Sequence, residues 1–200
     1  MKVRFFLLLV AMAVGSIALS QGTVTYIYDQ ESATESTGGG SSLIIQSNQP
    51  LGQSFTPTLS SVGFIRLATR DPFFNGVGAT LSVNLLSGSI VGPVLGSTDP
   101  VFLTDTFAGY TDFIFSTPVS VTPGVTYYFQ PIVQTGDTWT LRSYNYLYPN
   151  GTAFANGVAS PGFDLWFREG LIIPEPSSAW LALVGAGVLA WFQRHKRRRN

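Results

Sequence analysis

Apolar and polar side chains alternate with a period of two in short runs along most of this chain. Val24, Tyr26 and Tyr28 share one side of the run at 23–29. Leu81, Val83 and Leu85 oppose Ser82 and Asn84 at 80–86. Val125, Tyr127 and Phe129 oppose Thr126, Tyr128 and Gln130 at 125–130. Trp139 and Leu141 oppose Thr140 and Arg142 at 138–144. Phe163, Leu165 and Phe167 oppose Asp164, Trp166 and Arg168 at 163–168. Such alternation places successive side chains on opposite faces of a strand. Further strands are predicted at 51–56, 62–69, 94–98 and 110–115. β-Branched and aromatic residues dominate these runs, as strands favour.

Turn residues separate the runs every eight to twelve positions. Asp71-Pro72, Thr122-Pro123-Gly124, Pro149-Asn150-Gly151 and Ser160-Pro161-Gly162 are the clearest breaks. The segment at 37–42, TGGGSS, reads as a flexible loop. No stretch between the ends has a 3.6-residue period with caps. Nine or ten short strands with one wet face predict an all-β fold, an antiparallel β-sandwich of jelly-roll type.

Both ends depart from this pattern. Residues 1–20 begin with Lys2 and Arg4, continue with an apolar stretch and finish at Ala18-Leu19-Ser20, a small-x-small cleavage pattern. That is the layout of a secretory signal peptide, predicted as an N-terminal helix removed near Gln21. Near the other end, 179–192 is an unbroken run of apolar or small residues. A transmembrane helix is predicted at about 178–193. At ~1.5 Å per residue its apolar run spans only ~21 Å, so Trp180 and Trp191 sit near the interfaces and the following cations snorkel. Arg194, Lys196, Arg197, Arg198 and Arg199 form a basic stop-transfer tail, which places the C-terminus on the cytoplasmic side.

Charge sharpens this division. The 200 residues carry 11 Lys+Arg and 11 Asp+Glu. The net charge of zero is three regions cancelling, because the cations concentrate at the two ends. The stretch 21–173 holds four arginines and ten acids, a charge of −6. Four scattered arginines make no basic stripe, so nucleic acid is excluded as a partner. There is no Cys, and His195 in the tail is the single His. Disulfides, thiolate metal sites, Ser-His-Asp catalysis and His-ligated zinc are thereby excluded.

Pro174-Glu175-Pro176, a short apolar helix and a terminal run of arginines together resemble the PEP-CTERM sorting signal, with Ile173 where Val is usual. The resemblance covers residues 174–200. It implies recognition by an exosortase of the inner membrane, cleavage at or near the PEP motif, and delivery to the cell surface or extracellular matrix of a Gram-negative bacterium, often alongside exopolysaccharide. Residues 51–57, 121–129 and 164–168 also resemble small exported β-domains found ahead of such signals. The expected division is a signal peptide at 1–20, an ectodomain at 21–173 and the sorting segment at 174–200.

Three readings compete for the ectodomain. The leading one is a non-enzymatic structural or adhesive protein without a cofactor, meeting exopolysaccharide or surface proteins. Tyr144, Tyr146 and Tyr148 are spaced i, i+2, i+4, which on a strand gives one face able to stack on sugar rings. Trp166 joins them as a surface candidate, because it alternates with Asp164 and Arg168. Against this, a sandwich so rich in aromatics must bury most of them. The second reading is a carbohydrate-active enzyme using paired carboxylates, although no motif selects a pair. The third is a calcium-stabilised adhesin, with Asp71, Asp137 and Asp164 at loop or strand-end positions as ligands.

Overall fold

The computed structural model describes residues 24–174, together with Trp191 and His195. Residues Tyr26–Ile172 form one compact unit. Its strands, with the flanking residues they run into, are β1 (Val24–Glu31), β2 (Ser41–Ile44), β3 (Gly52–Phe55), β4 (Ser61–Arg70), β5 (Ala79–Ser87), β6 (Val94–Ser97), β7 (Val101–Leu103), β8 (Ala108–Ser120), β9 (Tyr127–Gly136), β10 (Thr140–Tyr144), β11 (Ala153–Ala155), β12 (Val158–Ser160), β13 (Asp164–Leu165) and β14 (Phe167–Pro174). In the other unit, which holds the two chain ends, Trp191 and His195 are helical, with rings 4.5 Å apart. No helix among the described residues is long and apolar enough to cross a membrane. The predicted signal helix, the 178–193 helix apart from Trp191, and the basic tail apart from His195 lie outside the described residues.

The strands form two antiparallel seven-stranded sheets. The first runs β1-β14-β4-β10-β13, with β8 also on β4 and β2 also on β10. The second runs β12-β11-β3-β9-β5-β6, with β7 also on β5. The inward faces of both sheets meet in one hydrophobic cluster. Ile65, Leu67 and Phe113 enter it from the first sheet, and Leu81, Val83 and Phe129 from the second. Phe167 lies 5.2 Å from Phe129 and 6.3 Å from Phe55, ring to ring. Each such side chain contributes about 1.5–3 kcal/mol by leaving water. The alternation therefore located this core correctly: Trp139, Leu141, Tyr127 and Phe129 are all buried.

Two local readings are corrected. Residues 41–44, half inside the expected loop, form β2, which pairs with β10 from Thr140↔Ile44 to Ser143↔Ser41. Side-chain polarity cannot reveal an edge strand held only by backbone pairing. Phe163 precedes β13 and is exposed instead of sharing the inward face of Leu165. The expected turn at Pro149-Asn150-Gly151 is present, and glycine is required there. A Cβ on Gly151 would sit 1.9 Å from the Ser54 carbonyl oxygen.

Candidate functional site

The outer face of the first sheet carries most of the domain's chemistry. Side chains of β4 alternate across it: Ile65 and Leu67 point into the core, and Phe64, Arg66 and Ala68 point the other way. Tyr26 and Tyr28 of β1 stack on each other and meet Phe64 edge-on at 5.1 and 5.7 Å. Arg66 forks onto Asp112 at 2.5 and 2.9 Å, and also donates to Tyr28 Oη and Glu35. Arg168 lies 3.4 Å above the Tyr28 ring and donates to Glu31 and Glu35. Hydrogen bonding to Asp112 holds the Arg66 guanidinium charged far above any working pH. Burial and Asp112 both push the Tyr26 phenol up. Burial would raise the Glu35 carboxyl, but hydrogen bonds and the two arginines outweigh it and hold it below its ordinary value. Each of the three carboxylates in this network meets one or both of the two arginines, so the network fastens the 24–37 segment onto the sheet.

Beside the network lies a recess of about 500 Å³. Its lining includes Gly40, Ser42, Ala68, Arg70, Tyr110 and Arg142. Register explains the hollow. Ala68 pairs with Tyr110 and Arg70 with Ala108 across β4 and β8, while Thr140 of β10 pairs with Arg70 on the other edge. Small side chains at Ala68 and Ala108 thus sit between larger neighbours. Gly40 closes one side with φ +116°, a left-handed conformation that favours glycine, and a Cβ there would lie 2.9 Å from Arg142 Cγ. Arg70 and Arg142 have no ion pair among the described residues.

The predicted aromatic face is not assembled. β10 ends at Tyr144, and Leu147 adopts φ +60°, so 144–148 does not continue as a strand and the i, i+2, i+4 argument lapses. Tyr144 is 49% exposed and meets Tyr146 edge-on at 5.8 Å. Tyr146 is half-buried, and its hydroxyl has no hydrogen-bond partner. Burial raises its phenol despite nearby Arg142. Tyr148 is buried, donates to Gln30 Oε1 at 2.9 Å and packs edge-on against Phe167.

Trp166 is 1% exposed, which corrects its assignment to the surface. Its ring lies 4.4 Å from Tyr110, its indole N–H donates to the Thr34 carbonyl at 3.2 Å, and Ala33 and Ala68 complete a second small core. Alternation put Trp166 on the correct outer face. That face is covered here by the 32–37 segment.

The three candidate metal ligands are occupied separately. Asp71 accepts from the amides of Phe73 and Thr106 at 2.8 and 3.1 Å. Asp137 accepts from Asn75 Nδ2 and its neighbour's amide. Asp164 is buried and accepts from Gln53 Nε2 and the Tyr148 amide at 3.0 and 3.1 Å, with burial raising its carboxyl. Among the described residues no group of three or more acids or histidines is placed to hold a metal ion.

One carboxyl stands apart. Glu169 of β14 is fully buried, and no hydrogen bond of ordinary geometry reaches either of its oxygens, although the Asp29 carboxyl and the Gln30 backbone lie close to it. Burial, reinforced by nearby Asp29, pushes it up to about 9. Asp29 receives donors from Thr58 Oγ1, the Thr58 and Leu59 amides and Gln30 Nε2. Burial acts to raise Asp29, but these bonds outweigh it and hold it below its ordinary value. Asp29 therefore keeps the charge and Glu169 the proton.

Sequence reasoning missed Arg70, Arg142 and Tyr110 as neighbours. Pairing of β4 with both β8 and β10 brings them together, and single-sequence patterning does not specify pairing.

No curated protein matches the chain. A family described as the PEP-CTERM protein-sorting motif matches residues 173–199, beginning within the last residues of β14. Pro174, Glu175, Pro176 and the cations from Arg194 to Arg199 fall inside that match, as the sequence pattern required. The chain carries a PEP-CTERM protein-sorting motif at its C-terminus, and that motif implies export, an exosortase as processing partner and sorting to the cell surface.

Proposed function

We propose that this is a non-enzymatic structural or adhesive protein of the cell surface or extracellular matrix in a Gram-negative bacterium. It leaves the cytoplasm by a Sec-type route with residues 1–20 as signal peptide. The 178–193 helix then holds it in the inner membrane, N-terminus outside and basic tail inside, until the exosortase acts. Its working part is the 21–173 ectodomain, a jelly-roll-like sandwich that meets exopolysaccharide or neighbouring surface proteins without a cofactor.

The observation that carries this reading is the sorting match that begins in the last two residues of β14. Deleting 174–200, or replacing Glu175 with Ala, is expected to abolish surface display while the precursor is still exported. Cell fractionation with surface proteolysis reads this out. Undiminished display of both variants would refute exosortase-dependent sorting.

A further inference from the structure

We propose that the recess between β8, β4, β10 and β2 binds a carboxylated saccharide, a uronate unit of an acidic polysaccharide. Three independent features converge there.

The first is charge. The ectodomain stretch has four arginines against ten acids. Arg66 and Arg168 are matched to Asp112, Glu31 and Glu35. Arg70 and Arg142, which make no ion pair among the described residues, both line this recess, and no acid lines it with them. Two cations collected in an acidic domain with no carboxylate between them repel each other. Folding gains nothing from that placement, whereas an incoming anion relieves it. A guanidinium presents a planar fork that matches a carboxylate.

The second is shape. The volume of about 500 Å³ falls within the range of small-ligand sites. The hollow follows from Ala68 and Ala108 alternating with Tyr110, Arg70 and Arg142 across the paired strands. Tyr110 lines it, and Trp166 packs against Tyr110 from within the small core, so the ring is fixed before any ligand arrives. A fixed aromatic ring suits the C–H faces of a sugar.

The third is polar capacity. Ser42, which pairs with Arg142 across β2 and β10, shares its face of the sheet and adds a hydroxyl to the lining. Tyr146 stands behind Gly40, its Oη 3.2 Å from where a Gly40 Cβ would stand, and so backs the glycine that lines the recess. A free phosphate would use the arginines and leave the ring and hydroxyl idle.

The inference deepens the surface-protein reading, on which it rests only for where such a polymer is met. Binding in solution does not depend on sorting, so either can fail alone. The full chain in detergent micelles is titrated calorimetrically with digalacturonate, cellobiose and inorganic phosphate. Digalacturonate is expected to bind, cellobiose not to, and phosphate to bind at least tenfold more weakly. Arg142→Gln and, separately, Arg70→Gln are expected to weaken digalacturonate binding tenfold or more with an unchanged melting temperature, since neither arginine has a partner to lose. Absence of digalacturonate binding at millimolar concentration would overturn the proposal. So would wild-type affinity in both variants, or phosphate binding as tightly as digalacturonate. If one variant fails to fold, the other carries the test.

Discussion

Replacing Trp166 with Ala is expected to destabilise the domain by about 3–5 kcal/mol, the range for emptying a buried Trp or Phe site. The indole is 1% exposed and is the largest side chain in the small core formed with Ala33 and Ala68. Two consequences add to the void. The N–H bond to Thr34 is lost, and with it a tie that holds the 32–37 segment against the sheet. Tyr110 also loses the ring it packs on. Trp166→Phe separates these effects. It keeps a ring beside Tyr110 but deletes the N–H donor, so about 1 kcal/mol plus a small packing loss is expected. Urea unfolding followed by near-ultraviolet circular dichroism measures both. A midpoint for Trp166→Ala within error of wild type would mean that the ring is not buried.

The same residue marks how far the sequence could be read. Period-two alternation identified the strands that face the other sheet, because water on one side and core on the other impose it. Trp139, Leu141, Phe129 and Phe167 followed that rule. Trp166 obeyed the same alternation yet is buried, since the outer face of this sheet is roofed by a segment with no period of its own. That roof is fastened by Arg66 and Arg168 to Glu31, Glu35 and Tyr28, across 31 to 137 residues of sequence. Long-range pairing leaves no local trace. The recess was illegible for the same reason: Arg70, Tyr110 and Arg142 are ordinary strand residues until β4 pairs with β8 on one edge and β10 on the other. The sorting motif, by contrast, was legible, because it consists of consecutive residues whose order is itself the signal.

Glu169→Gln is expected to stabilise the protein, by an amount that grows with pH. The Glu169 carboxyl is raised from its ordinary 4.5 to about 9 in the fold. Between those values the folded chain holds a proton that the unfolded chain releases. Folding then takes up a proton, so stability falls as pH rises across that window, by about 1.4 kcal/mol per pH unit from this group. At pH 7 the accumulated loss is about 3–4 kcal/mol, and glutamine, which cannot ionise, escapes it. Asp29 acts in the opposite sense. Its lowered carboxyl contributes stability above its unfolded value that is lost as pH falls through its folded one, so the acid limb should persist in the variant. Melting temperatures of wild type and Glu169→Gln, taken from pH 4.5 to pH 9, are therefore expected to coincide at the acid end and diverge towards the alkaline end. Parallel curves across the whole range would show that Glu169 does not titrate there. A variant less stable than wild type at every pH would show that the buried carboxyl has a partner which the amide cannot replace.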